Sequence, residues 1–490
     1  MSTSVQSKLI HLNHFIAGQY EAPGNQEYFD DINPATGEVF AKVAVGTAQD
    51  VDRAAQAAKR AFDSGIWSRK STRERSAVLR KMGDLILARK TELAEAETTD
   101  TGKPISESLE GDITRSALNF HFFADFAASQ GEECFTNGEL ERHIAIHEPV
   151  GVIGLITPWN LPLYLATWKI APCLAMGNSC VLKPAEWTPY TATLLGEIAS
   201  EAGLPPGVFN VVHGFGAGGA GEALTRHPLI NRISFTGETT TGKAIMVAAA
   251  DTLKKVSFEL GGKGANIIFA DADLDEAIPT SVRAAFRNQG QICLAGSRLF
   301  VQKAVYDQVV ERMVDAVKKI RVGNPMDPET QMGALVSAEH MEKVQSYIAL
   351  GKKEGRLMCG GDRLTALGKG NFLSPSVFTG LAYDSKFCQE EIFGPALPII
   401  PFNDENEAIN MANSTPYGLS ASIWSKDVDR CHHVASKLQS GLVWVNTWFA
   451  RDLRTPFGGQ KSSGIGREGG RYSLDFFSEI KTISYKYKAL

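Results

Sequence analysis

Glu259 and Cys293 stand 34 residues apart, in the segments FELGGKGANIIF and FRNQGQICLAGSR. A thiolate attacks a carbonyl carbon well, and a carboxylate can then activate the water that clears the resulting thioester. The Gly-Gln-Ile-Cys run puts the thiol on a turn that glycine permits, where backbone N–H groups can face a developing oxyanion. Each residue also has an ordinary reading. Most free cysteines are small buried hydrophobes, and most glutamates are solvated carboxylates. Alone, neither establishes a function.

Such a pair needs a scaffold, and the chain alternates strand-like with helix-like segments. An apolar strand at 150–156 (VGVIGLI) ends at Thr157-Pro158-Trp159-Asn160 and leads to a helix over 165–176. Strand 179–182, helix 191–202, strand 209–212 and strand 232–235 follow, the last entering a glycine-flanked helix start. Helical spacing also marks 50–62 and 72–90, and a second strand–helix series begins near Ala265 and includes a helix over 304–320. This alternation predicts parallel sheets covered on both faces. The tail 482–488 (TISYKYK) reads as a strand suited to sheet pairing rather than to a core of its own.

Bulk properties limit the function classes. A chain of 490 residues with 50 basic and 55 acidic side chains carries a net charge of −5, too mild for a nucleic-acid or anionic-membrane partner. Seven cysteines without CxxC spacing predict reduced thiols in a cytoplasmic setting. MSTSVQSKLIHLNHF has no basic segment followed by an apolar run, so no secretory signal is expected. No stretch reaches the ~18 apolar residues of a membrane span. Cys173/Cys180, His143/His147 and His432-His433 lack the ligand spacing of a zinc site, and no metal is expected. Gly214-Phe-Gly216-Ala-Gly218-Gly219 satisfies GxGxxG after a strand, a dinucleotide signal that is weak without an acid at the expected spacing.

Taken in order, HFIAGQY, INPATGEVFAKV, TPWNLPL, VLKPAEWTP, FTGETTTG, the glutamate and cysteine segments, EEIFGP, VNTW and PFGGQKSSGIGREGG resemble the aldehyde dehydrogenase superfamily over nearly the whole chain. The resemblance implies an α/β fold with two Rossmann-like parallel-sheet domains and a small β extension for oligomerisation. It divides the chain into 1–125 and 150–259 for NAD binding, 260–455 for catalysis, and 126–149 with 473–490 for the contact of a homodimer or homotetramer.

The resemblance also assigns roles. Cys293 is the nucleophile, the Asn160 amide and the Cys293 N–H hold the oxyanion, and Glu259 activates the hydrolytic water, with Lys169 a polar link near it. Branches that hand the acyl group to coenzyme A lack this glutamate, so the expected product is a free acid. For NAD it implies Gly216 beside the adenosine, Gly237 and Glu238 near the pyrophosphate, and Lys183 on the adenosine ribose. Glu186 accepts from the ribose hydroxyls and repels a 2′-phosphate, Glu391 takes the nicotinamide ribose, and Phe393 packs beside the nicotinamide. Ile156, Thr157, Pro158, Trp159, Phe235 and Leu260 complete that set.

Substrate class turns on arginines. VNTWFARDLRTPFGG carries Arg451 and Arg454 where a pocket wall is expected, and Arg115 lies on a helix that the family places across the substrate entrance. The pattern resembles the 2-hydroxymuconic and 2-aminomuconic semialdehyde dehydrogenases, so Arg454 and Arg115 are expected to hold a substrate carboxylate, with Trp168 and Phe457 as pocket walls; Arg451 is the weaker candidate. The competing expectation is a broad-specificity or betaine-type aldehyde dehydrogenase, whose neutral or cationic substrates these arginines disfavour.

Overall fold

The computed structural model describes residues 9–488. Its first sheet has five parallel strands in the order Lys255–Glu259, Arg232–Thr236, Val152–Ile156, Ser179–Lys183, Phe209–Val211. The middle strands are buried along their whole length, as unbroken apolar runs in a doubly covered sheet should be. Antiparallel His14–Ile16 and Gln19–Glu21 extend one edge, and Gly464–Ile465 returns from the far end of the chain to extend the other. Val152–Ile156 is flanked by Ser179–Lys183 on one side and Arg232–Thr236 on the other. This reversal of strand order opens a crevice at the carboxyl ends of the strands, where ligands bind in open α/β sheets.

A second, seven-stranded sheet runs Arg356–Cys359, Ser376–Thr379, Ala396–Phe402, Arg298–Gln302, Ala265–Ile268, Ser420–Trp424, Leu442–Val445, parallel except for its first strand. The tail pairs within the chain rather than standing free. Ser478–Lys486 runs antiparallel to Glu141–Pro149 over nine residue pairs, with Glu133–Asn137 on the other side. The strand thus begins before the expected 482, because Arg232 pins its start: the buried guanidinium donates to the Phe476 carbonyl and to Glu479. His143 and His147 face Ser484 and Ser478 across this pairing.

Two local features escaped the sequence reading. Ile10–Leu12, Glu38–Ala44 and Tyr28–Asn33 form a small three-stranded sheet. After helix Lys90–Thr101, residues Ser108–Ile113 form a π-helical stretch that leads into helix Thr114–Ala128. Such stretches are rare and occur mostly at functional sites; here it delivers Asp112 inward and Arg115 to the next turn.

Candidate active site

Helix Leu274–Phe286 ends in a loop that carries the thiol. Asn288 (φ 49°), Gln289 (φ 57°) and Gly290 (φ 72°) are successively left-handed. Side chains at the first two positions make this costly, so surrounding bonds must hold it. Gln289 Nε2 donates to Ala334 O at 2.9 Å, Val336 N donates to Gln291 Oε1 at 3.1 Å, and Asn288 Nδ2 donates to Asn160 O at 3.0 Å. Gly290 is required, since a Cβ there would lie 2.5 Å from Gly394 O. The loop is therefore fixed before any substrate arrives.

Asn160 sits in the turn between strand Val152–Ile156 and helix Pro162–Ala175. Its Nδ2 donates to Gln291 O at 2.8 Å, two residues before the cysteine. An amide has two N–H groups, so one remains for a reacting oxygen. Pro158, Trp159, Asn160, Gly237, Glu238, Leu260, Cys293, Glu391 and Phe393 line one cavity of about 320 Å³ at the mouth of the crevice. Trp187, Thr236, Gly261 and three residues of helix Ala338–Glu354 complete it, namely Glu339, His340 and Lys343. That helix was not foreseen. Burial lowers the His340 pKa to about 4, and its Nε2 lies 2.8 Å from Phe393 O. The neutral ring therefore directs an N–H at that carbonyl and steadies Phe393 in its left-handed conformation (φ 59°).

The remaining expected cofactor residues do not line this cavity. Ile156, Thr157 and Phe235 are buried at strand ends. Lys183 is buried too, and its Nζ lies 2.8 Å from Glu186 Oε2. Burial raises the Glu186 carboxyl, but the charge and hydrogen bond of Lys183 outweigh it, leaving the pKa below its ordinary value. An anionic acceptor beside a buried ammonium suits a ribose diol. A Cβ on Gly216 would meet nothing within 4 Å, and its neighbours Phe215 and Ala217 border a separate cleft of about 610 Å³ against Val45–Ala48. Gly237 admits no side chain, because a Cβ would lie 2.5 Å from the Phe235 ring. With the start of helix Thr239–Ala250 at the cavity wall, these residues fit a nicotinamide dinucleotide.

The thiol and the carboxylates share an electrostatic environment. Burial, then the charges of Glu391 and Glu259, push the Cys293 thiol up to about 12, against a lowering by Arg451. Burial raises Glu391 to about 7, although Gly262 N donates to its Oε1 at 2.7 Å. Glu259, at the end of strand Lys255–Glu259, is buried with no hydrogen bond to either carboxylate oxygen. Burial and then Glu468 hold its pKa well above the carboxylate range, opposed by Lys169 and Arg451. Lys169 itself pairs with Glu468 at 2.7 Å and with Ser234 Oγ at 2.9 Å, so its link to Glu259 is through charge. A glutamate with a raised pKa is a better base near neutrality than an ordinary one.

The arginines are arranged otherwise than expected. Arg454 turns outward, 73% exposed, with its fork on Asp452 (Nη2–Oδ2 2.6 Å). It does not join Arg115. Arg451 takes that place: Nη1 donates to Tyr164 Oη at 2.9 Å, and the guanidinium lies 4.0 Å from the Phe457 ring centroid and 5.0 Å from Trp168. Arg115 packs over the same Tyr164 and Trp168, at 5.5 and 5.9 Å. Its Nε and Nη2 are buried without partners. Asp112, one turn back, is engaged by Lys103 instead.

Residues 21–483 match the model of the aldehyde dehydrogenase family. This chain belongs to that family. The dehydrogenase is 48% identical to the 2-hydroxymuconic semialdehyde dehydrogenase of Pseudomonas sp. (strain CF600), over 97% of this chain and 99% of the relative. It is 48% identical to the 2-aminomuconic semialdehyde dehydrogenase of Mus musculus, over 98% and 99%. Among solved structures, the P. syringae indole-3-acetaldehyde dehydrogenase AldA in complex with NAD+ and IAA superposes with a TM-score of 0.96 at 40% identity, covering 98% of each chain. HpcC from Thermus thermophilus gives 0.95 at 45% identity, covering 98% of the dehydrogenase and 94% of HpcC.

Proposed function

We propose that this dehydrogenase oxidises an aldehyde bearing a distal carboxylate, of the 2-hydroxymuconic or 2-aminomuconic semialdehyde type, to the free acid with NAD as acceptor. The convergence of Arg115 and Arg451 on Tyr164 and Trp168 carries this reading. Burial, and then the Arg451 charge, push the Arg115 guanidinium below its ordinary value, with Tyr164 opposing. Neither arginine has a carboxylate within salt-bridge distance among the described residues. Two cations against aromatic faces, with unmatched N–H groups, suit an anion. The names of the similar relatives support the same substrate class.

In the proposed reaction, Cys293 Sγ adds to the aldehyde carbon while the thiol proton leaves to a base. The new oxyanion sits on the free Asn160 N–H and the Cys293 backbone N–H. Bound NAD supplies the acceptor for the two electrons lost as the thiohemiacetal becomes a thioester. Glu259 then takes a proton from water, whose oxygen attacks the thioester and releases the acid and the cysteine sulfur. Lys183 and Glu186 would hold the adenosine ribose, and Glu391 and Phe393 the nicotinamide end. A phosphate on the 2′-oxygen would meet the Glu186 carboxylate, which favours NAD over NADP.

The free outer edge of Ser478–Lys486, and exposed Phe135, Ile480 and Tyr485 on the same small sheet, support a homo-oligomeric assembly. Seven free cysteines among the described residues support a cytoplasmic, reducing setting. No helix of the described residues is long and apolar enough to cross a membrane. The substrate reading is tested by NAD-reduction rates on matched aldehydes with and without a distal carboxylate. A clear preference for the acidic member is expected; equal kcat/KM across the panel would overturn it.

A further inference from the structure

Lys103 is completely buried in the turn after helix Lys90–Thr101, 57 residues before Asn160 in sequence. Burying an ammonium is unfavourable unless its charge and its N–H groups are matched. Asp112 supplies the charge at 2.5 Å, with Glu97 Oε1 more distant at 3.8 Å. The other hydrogen bond goes to one backbone carbonyl, Asn160 O, at 2.8 Å. The same oxygen accepts from Asn288 Nδ2, and the Asn160 side chain donates to Gln291 O. The peptide of the oxyanion donor is therefore held between a buried cation and the cysteine loop.

The turn that carries Lys103 is docked on the same support. Gly102 is left-handed (φ 74°), its carbonyl accepts from Ala334 N at 3.0 Å, and a Cβ there would lie 2.7 Å from Ala334 O. Ala334 O is also the acceptor for Gln289 Nε2. Lys103, Asn160 and the cysteine loop thus share one hydrogen-bonded frame that crosses between the two large sheets.

We infer that Lys103 is a positioning residue of the reaction, acting through the backbone of Asn160 to aim the oxyanion-donating amide at the carbon attacked by Cys293. The inference rests on the oxyanion role proposed for Asn160. A charge-assisted bond to the Asn160 carbonyl is stronger than a neutral one, and it restrains rotation of the peptide whose side chain must meet the oxyanion. Glu107, which accepts from Asn288 N and lies 3.5 Å from Arg287 Nε, braces the frame from the cysteine side.

A double-mutant cycle on the full enzyme tests this. Lys103→Met alone strands Asp112, so Lys103→Met with Asp112→Asn removes both charges of the pair, and Glu97, already held above the ordinary carboxylate range by burial, is left as the neutral acid. That pair should lower kcat by about 10- to 100-fold, the scale of a displaced catalytic group. The KM for NAD and the rate of Cys293 alkylation by iodoacetamide should stay within about twofold, because neither depends on the oxyanion. Lys103→Gln with Asp112→Asn, which keeps an N–H donor for the Asn160 carbonyl without the charge, should fall between wild type and the Met–Asn pair. In an Asn160→Ala background the pair should cost less than about threefold, since the group it positions is gone. Equal losses in both backgrounds, or a wild-type kcat in both Lys103 variants, would overturn the positioning role. Asn160→Ala itself should cost roughly 10²–10³-fold; if it is nearly neutral, the oxyanion reading fails instead.

Discussion

Two ends of the proposed substrate path are built on opposite plans. Around the thiol, the side chains that hold the loop are tied down: Asn288, Gln289, Gln291, Asn160 and Lys103 bond to one another and to backbone groups, while the Glu259 carboxylate, Asn288 Oδ1 and one Asn160 N–H are left unpaired. At the far end, Arg115 presents buried N–H groups with no partner, beside a second guanidinium. A matched frame holds geometry for chemistry common to every aldehyde. An unmatched cationic pair has its partner missing, and so selects a ligand that brings one. Reactivity and selectivity should therefore come apart under mutation.

Removing the nucleophile breaks the matched end outright. Cys293→Ala should lower turnover by on the order of 10⁴-fold or more for every aldehyde, while NAD binding measured by calorimetry stays near wild type. Substantial residual turnover would place the chemistry on another group.

Glu259 sharpens the division of steps within that end. Glu259→Gln should slow hydrolysis so that an acyl adduct on Cys293 accumulates, visible by intact-protein mass spectrometry. Burial and Glu468 raise the Glu259 pKa, so in the wild type this carboxyl is protonated and idle at low pH. Deacylation should rise with pH through a value well above the ordinary carboxylate range, and the Gln variant should lose that rise. An unchanged pH profile in the variant would assign the base elsewhere.

Gly458 is a subtler probe of the same carboxylate. A Cβ there would lie 2.7 Å from Glu259 Oε1, at a backbone φ of 153°. Gly458→Ala should displace the base and reduce hydrolysis by about 10- to 100-fold, with a smaller build-up of the same adduct. Loss of the initial burst of NADH, rather than of steady turnover, would show that the glycine serves the earlier step.

How far the sequence could be read follows from the same physics. The central strands were legible because a doubly covered parallel sheet demands continuous apolar runs, as in VGVIGLI. Cys293, Glu259 and Asn160 could be singled out as candidates from their settings, and Cys293 and Asn160 line one cavity. The left-handed Asn288 and Gln289 were not, because their conformation is imposed by Ala334, Val336 and Asn160, which arrive from distant segments. Lys103 and His340 were missed for a related reason: each acts on a backbone carbonyl, which leaves no mark in a side-chain pattern. Arg451 and Arg454 show the limit most plainly. They lie three residues apart in an irregular loop, where no periodicity says which side chain faces inward. Asp452 decides it, since its carboxylate accepts from Arg454 N, Nε and Nη2 and holds that fork outside. The polar Asp-x-Arg spacing was the available signal.

The smallest effect is expected at the arginine that the sequence favoured. Arg454→Ala should change kcat/KM by less than about threefold for acidic and neutral aldehydes alike, as for an exposed ion pair. Selective loss for the acidic substrate would bring Arg454 back into the pocket in the working enzyme.

The most direct test of the account is the ratio of kcat/KM for a carboxylated semialdehyde to that for its neutral methyl ester, measured in wild type and in Arg451→Ala. Charge-assisted hydrogen bonds contribute roughly 1.5–3 kcal/mol each, so the ratio should fall by about 10- to 100-fold, while the ester loses only the smaller part that follows from taking the Arg451 charge away from Cys293 and Glu259. Equal losses on both substrates would contradict the assignment, leaving Arg451 as a support for Phe457 and Tyr164 and the far end of the path without its selector.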